Sequence, residues 1–189
     1  MKSGIRVGAT ASARMIKRPD AGDGIRLRGH FHIRCLDPKG KLKWEDEADN
    51  LVVNEGLQQL LDDLFTGAGQ VDPWYVGLTD GAPVTVIAAN TMAAHAGWTE
   101  VEDYNEAVRQ TYTDVRAAQS VSNTAAPATF TIDADAITIG GAFLCSANVK
   151  GGVGGVLLCA VAFTGGDKSA DTNDTIEATY TFGAADDGV

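Results

Sequence analysis

Residues 50–78 read NLVVNEGLQQLLDDLFTGAGQVDPWYVGL, and this stretch predicts a helix that leads into a short aromatic strand. Five apolar residues recur at the spacing of one helical face: Leu57, Leu60, Leu61, Leu64 and Phe65. Asn54 is the predicted N-cap and Gly67 the predicted left-handed C-cap of a helix over residues 54–66. Burial of five such side chains contributes roughly 7–15 kcal/mol before opposing terms. We therefore expect this stripe to pack against a sheet.

The rest of the chain predicts that sheet. Residues 25–35 alternate apolar with basic or imidazole side chains, and a Pro-containing turn follows them, which indicates a hairpin over residues 25–47. Short apolar or alternating segments separated by turn residues then fill residues 74–182. The last strand is predicted to face four residues inward: Ile176, Ala178, Tyr180 and Phe182. We expect a mainly β protein, an antiparallel β-sandwich or jelly-roll-like barrel with one amphipathic helix.

The charge of the chain divides sharply near Trp44. Residues 1–43 hold eleven Lys and Arg against three Asp, a formal net charge of +8, whereas residues 44–189 hold four Lys and Arg against 22 Asp and Glu, a net of −18. Residues 1–24 have no hydrophobic period, which predicts an extended basic arm ahead of a single β-rich domain over residues 25–189. Such asymmetry favours an arm that meets an acidic surface, on a partner or on a neighbouring copy.

We predict that partner docking involves the basic residues of the arm and of the first strand: Lys17, Arg18, Arg26, Arg28, His30, His32 and Arg34. Nucleic acid is a second partner that such a stripe would fit, with steeply salt-dependent binding, but a body of net charge −18 argues against it. His30 and His32 share one strand face and would suit a metal ion, yet the third ligand is missing because only His95 remains. We therefore expect no metal site, and we expect no membrane association since no apolar run approaches the ~20 residues of a span.

Two carboxylate clusters and the cysteines carry further alternatives. Residues 98–106 are dense in acids, and a pair among Glu100, Glu102, Asp103 and Glu106 would suit glycoside cleavage. A solvated acidic surface is the favoured interpretation of so crowded a run. Asp171, Asn173 and Asp174 offer calcium ligands but lack the spacing and glycine of a calcium loop, so a polar turn is expected instead.

The three cysteines, Cys35, Cys145 and Cys159, have neither paired nor metal-type spacing. Cys145 and Cys159 lie in apolar strand-like segments, so buried inert thiols in a reducing compartment are expected, while a disulfide between these two stays open. Signatures of phosphate loops, dinucleotide sites, nucleophile elbows and zinc proteases are absent from the sequence. We expect no catalytic residues and no cofactor.

An ordered set of segments carries a resemblance to a known class of proteins. It consists of residues 50–57 (NLVVNEGL) with Leu60 and Leu61, then residues 74–78 (WYVGL), 98–101 (WTEV), 104–109 (YNEAVR) and 137–144 (ITIGGAFL). In texture and order these segments resemble structural proteins of tailed bacteriophages, of the kind found as head, neck or fibre components.

The resemblance covers about residues 50–182 and implies a non-enzymatic virion protein made in the host cytoplasm. Its partners would be other virion proteins, such as a capsid, portal or adaptor protein, together with further copies of itself, a trimer being one such form. A different function class also fits the sequence. A carbohydrate-binding sandwich for host-surface recognition would stack sugars on Trp74, Trp98, Tyr104 and Tyr112, unless these aromatic residues belong to the core.

Overall fold

The computed structural model describes residues 25–67, 69–80 and 83–186, so the predicted arm with Lys17 and Arg18 lies outside the described residues. Over these residues the fold is mainly β, 47% strand and 8% helical, with antiparallel sheets and one short helix, as the sequence predicted. The helix α1 spans Asn54–Leu61. The strands are β1 (Ile25–Leu36), β2 (Leu42–Asp49), β3 (Leu51–Val52), β4 (Tyr75–Asp80), β5 (Thr99–Glu100), β6 (Gln110–Thr111), β7 (Val115–Ala117), β8 (Ser120–Ser122), β9 (Ala128–Thr131), β10 (Ile137–Ile139), β11 (Gly141–Cys145), β12 (Leu157–Ala162), β13 (Lys168–Ala170) and β14 (Thr175–Asp186).

The first of two large sheets, sheet A, has the strand order β2-β1-β14-β8-β7, with β9 also paired to β14. Its centre is the pairing of β1 with β14, which runs through twelve residues from Ile25 opposite Asp186 to Leu36 opposite Thr175. Side chains alternate across both strands as the sequence predicted: Ile176, Ala178 and Tyr180 are buried, and Phe182 is partly buried. The first and last described strands are therefore the central pair of sheet A.

The second sheet, sheet B, has the order β3-β12-β11-β4-β5, with β6 also paired to β4. Strands β11 and β12 are buried almost throughout, because the outer face of this sheet is also covered. Part of that cover is the segment between β4 and β5, predicted only as a long loop, which buries Val84, Met92 and Trp98 against Phe143. The opposite face of sheet B shares one hydrophobic core with sheet A. The two sheets thus form a sandwich-like arrangement.

The predicted helix exists, but the prediction of its contacts is wrong. Gly56 is its buried residue, and Leu60 packs against the core, whereas the other predicted core residues face solvent: Leu57 is 39% exposed, Leu61 57%, Leu64 73% and Phe65 79%. The backbone of Gly56 lies so close to β12 that an added Cβ would sit 2.2 Å from the carbonyl oxygen of Leu158. This close approach at a glycine fixes which side of the helix faces the sheet.

The two ends of the helix differ from each other in how well the sequence predicted them. The helix begins after Val53, so Asn54 is its first residue and not a capping residue, and no side chain caps that end. The carboxylate of Glu55 instead accepts hydrogen bonds from the backbone N–H groups of Met92 (3.2 Å) and Leu157 (2.8 Å). At the other end a π-helical turn, Asp62–Thr66, continues the helix to Gly67, whose left-handed conformation was predicted (φ 66°).

Candidate functional site

A groove of about 390 Å³ lies where the helix and the turn that continues it approach the two sheets. Its floor is the shared core, where Leu144 and Leu158 of sheet B meet Tyr180 of sheet A. Its walls come from five separate parts of the chain and are mainly apolar: Leu60, Leu64, Trp74, Tyr112, Val121 and Phe182. The groove is therefore built by the fold and by no single motif.

Three carboxylates line this apolar groove. Asp63 comes from the turn that continues the helix, Asp72 from the segment before β4, and Asp114 from the segment before β7. Among the described residues that line it there is no Lys, Arg or His. Three further apolar residues of the same helical segment are exposed and do not line the groove; we call Leu57, Leu61 and Phe65 the outer helix face. The site thus combines apolar surface with negative charge, a combination that suits an apolar segment carrying cations.

Three of the predicted docking residues lie beside carboxylates of their own sheet. The ring Nδ1 of His30 lies 2.9 Å from Asp49, and the ring Nε2 of His32 lies 3.4 Å from Glu45. Arg34 pairs with Glu177 across the junction of β1 and β14. The return strand β2 and the last strand β14 thus place acids beside this half of the stripe, so its side chains already have polar partners within the protein.

Arg26 and Arg28 lie at the other end of β1, where β2 has already ended. Their cross-strand neighbours are Ala185 and Gly183, and neither arginine has an ion-pair partner among the residues that the structure describes. Both are exposed. Arg26 and Arg28 are therefore the exposed docking candidates among the described residues, next to the point where residues 1–24 join β1.

The acidic run around residue 100 divides into a buried anchor and solvated acids. Glu100 forms a two-pronged pair with Arg109, with Nε to Oε1 at 2.8 Å and Nη2 to Oε2 at 2.6 Å. The side chain of Glu100 is 7% exposed and that of Arg109 is 0% exposed. Glu106 accepts a backbone hydrogen bond from Thr131, while Glu102 and Asp103 face solvent. The expectation of a wholly solvated run is thus wrong for Glu100, whose charge is bound by Arg109.

The proposed calcium ligands Asp171 and Asp174 surround a side-chain ammonium group. Lys43 donates to both carboxylates, and these hydrogen bonds raise the pKa of its ammonium above the usual value. Among residues 25–67, 69–80 and 83–186, no group of three or more His, Cys, Asp and Glu side chains is arranged to hold a metal ion. The same part of the chain has no helix long and apolar enough to cross a bilayer.

Most of the aromatic residues considered for sugar stacking are core residues. Trp98, Tyr104 and Tyr112 are buried, at 3%, 1% and 6% exposure, whereas Trp74 is partly buried and lines the groove. Tyr112 also fixes the sandwich, since its hydroxyl donates to the backbone oxygen of Tyr180 at 3.2 Å. The four rings therefore do not form one exposed platform.

The three cysteines are free thiols, and all three are buried. Burial raises the pKa of Cys35 and of Cys159 to about 12, and burial also raises the pKa of Cys145. Thiols in such surroundings stay protonated at neutral pH and are poor nucleophiles.

The groove has no sequence motif in any one segment of the chain. One feature of the sequence indicates an exposed apolar site. The apolar stripe from Leu57 to Phe65 is wider than the surface that an eight-residue helix buries on one side.

No family model, no curated protein and no solved structure matches this chain.

Proposed function

We propose that this protein is a non-enzymatic structural component of a tailed-phage particle that acts by assembly. Its basic N-terminal region docks it to other virion proteins, and copies of the protein associate with one another. Head decoration, neck and fibre are the positions that the sequence resemblance suggests.

The observation that carries this proposal is the exposed apolar surface of the helix. Leu61, Leu64 and Phe65 are each more than half exposed and lie beside an apolar groove. Contiguous exposed apolar surface of this kind marks interaction sites in folded proteins, because leaving it in water costs free energy. An assembly protein covers such a surface when it meets its neighbours.

The charge of the described residues supports docking at the N-terminal end of β1. Arg26 and Arg28 are exposed there, and residues 1–24 add five Lys and Arg against two Asp. The remaining residues of the stripe, His30, His32 and Arg34, lie beside carboxylates of their own sheet. A partner that binds this protein through its positive charge would therefore approach at the end where Ile25 pairs with Asp186.

The experiment is to produce particles with either the full chain or a variant that lacks residues 1–24. We expect the truncated variant to keep its β-sheet circular dichroism but to be depleted from purified particles at least about tenfold. A matched control is Lys39→Glu, which reverses an exposed charge in the turn between β1 and β2, at the opposite end of β1 from Ile25, and should be incorporated normally. Normal incorporation of the truncated variant would exclude the docking role, and absence of the full chain from particles would exclude the virion assignment.

A further inference from the structure

The geometry points to the identity of what fills the groove: residues 14–18 (RMIKR) of a second copy of this chain. This inference rests on the proposed self-association and names the site through which it occurs. The groove on one copy receives the basic segment of its neighbour, and the neighbour's groove receives the segment in return.

The chemistry of the segment matches that of the groove. Met15 and Ile16 supply two adjacent apolar side chains, and Met is well suited to filling an irregular apolar surface. Three cations flank them: Arg14, Lys17 and Arg18. The groove offers an apolar floor and the three carboxylates of Asp63, Asp72 and Asp114, with no cation among its described lining residues. Apolar burial would hold the segment, and the opposite charges would set its position.

The first described residue, Ile25, lies at the end of the molecule from which the groove can be reached along the surface. Ile25 borders a concavity with Gln119 and Ala184, and a second concavity with the same two residues reaches Val121 and Phe182 of the groove. Phe182 lies four positions before Asp186 in β14, about 13 Å away at the usual strand rise. The 24 residues ahead of Ile25 span up to roughly 80 Å when extended, ample reach to a neighbouring copy.

A second copy accounts for more exposed surface than the chain's own segment does. Five residues from the same chain would fill the groove but leave Leu57, Leu61 and Phe65 of the outer helix face in water. A neighbour related by a two-fold axis covers the outer helix face with its body while its segment enters the groove.

Charge explains why the exchanged segments are needed. The turn that continues the helix carries Asp62 and Asp63, and neither the helix nor this turn has a basic residue in its last turn. Two such helices brought together without cations would place like charges near one another, which is unfavourable. The Arg and Lys of the two exchanged segments offset that repulsion, so the contact and the exchange support each other.

The test uses two full-length variants, Ile16→Cys and Leu64→Cys, prepared separately and then mixed. Leu64 is 73% exposed, and the three native cysteines are buried free thiols, so a short bismaleimide reagent reaches mainly the new sites. We expect mass spectrometry to detect a linked peptide that joins position 16 to position 64. In this mixture that link arises only between copies, because no chain carries both cysteines.

The matched control replaces Leu64→Cys with Val153→Cys, a residue of similar exposure (61%) outside the groove. It should give at least tenfold less of the linked peptide. Neutralising Asp63 and Asp114 as Asn should lower the 16–64 yield by about threefold for each lost ion pair, and 1 M salt should lower it for the same reason.

Two results would overturn the inference. Absence of the 16–64 link in the mixture, with a dimer still present by light scattering, would place self-association elsewhere and leave the proposed function intact. A 16–64 link that forms only within a chain carrying both substitutions would assign the groove to the chain's own segment. Absence of the full-length chain from purified particles, with the 16–64 link retained, would instead count against the proposed function alone.

Discussion

Arg109 is a fully buried cation that joins three parts of sheet B and its loops. It binds Glu100 with two nitrogens, and it donates to the backbone oxygens of Ala147 (2.8 Å) and Gly152 (2.6 Å). Its guanidinium also lies 5.2 Å from the centre of the Phe143 ring. A buried charge is tolerated only when it is paired and hydrogen-bonded in this way. The residue therefore acts as a structural anchor at the edge of sheet B.

Replacing this anchor should be costly. Arg109→Met leaves the carboxylate of Glu100 buried without its partner, and breaking a buried pair on one side costs about 3–5 kcal/mol. Urea unfolding followed by circular dichroism measures the loss, with the exposed Arg116→Met as the control, expected within about 0.5 kcal/mol of wild type. Equal midpoints for the two variants would mean that the Glu100 pair does not stabilise the fold.

The buried thiols predict how stability depends on alkaline pH. In the folded protein the pKa of Cys35 and Cys159 is about 12, raised mainly by burial from 9.0, so the folded chain holds these protons when the unfolded chain has lost them. The unfolded state then binds fewer protons, and stability falls as pH rises through 9 and above.

Urea midpoints measured between pH 8 and pH 10.5 should therefore decrease, and a Cys159→Ala variant should show a smaller decrease. In the same samples a thiol reagent at pH 8 should modify the native protein slowly and release three thiols per chain after unfolding. Rapid modification of the native protein would contradict the burial of these side chains.

At the scale of the element, the two sides of the helical segment should differ in their contribution to stability. Gly56→Ala places a Cβ 2.2 Å from a backbone oxygen of β12, so the helix has to shift from the sheet, at a cost of about 1–3 kcal/mol. Phe65→Ser removes a side chain that is 79% exposed, so it should change the unfolding free energy by less than about 0.5 kcal/mol. Denaturant unfolding of the two variants at low protein concentration checks both values. A larger loss for Phe65→Ser would show that the outer helix face is already covered in the free subunit.

Strands β1, β2 and β14 followed from the sequence because their signal is local. The alternation of apolar and polar residues in β14 predicts which side chains face the core. Pairing with β1 at twelve positions fixes the same orientation. The orientation of the helix did not follow, because five apolar residues predict a buried stripe wherever a partner surface is wide enough. The deciding residue was Gly56, whose role depends on the carbonyl of Leu158, a residue more than 100 positions away.

At the scale of the whole molecule, the division of charge was visible in the sequence but its pairing was not. The acids that follow Trp44 come back beside the basic stripe, where Asp49 meets His30 and Glu45 meets His32. The groove escaped prediction for a related reason. Its walls come from residues between 60 and 182 that only the folded sheets bring together.

The pairing of Ile25 with Asp186 has a consequence for the order of the chain. Since the two ends of the described fold lie side by side, a short peptide would join them without crossing either sheet. New termini could then open at residues 37–41, the exposed turn at the far end of β1. Such a circular permutant would keep every strand pairing while moving the free ends to the side away from Ile25. If residues 1–24 were attached to the new N-terminus, they would leave the same fold in the opposite direction.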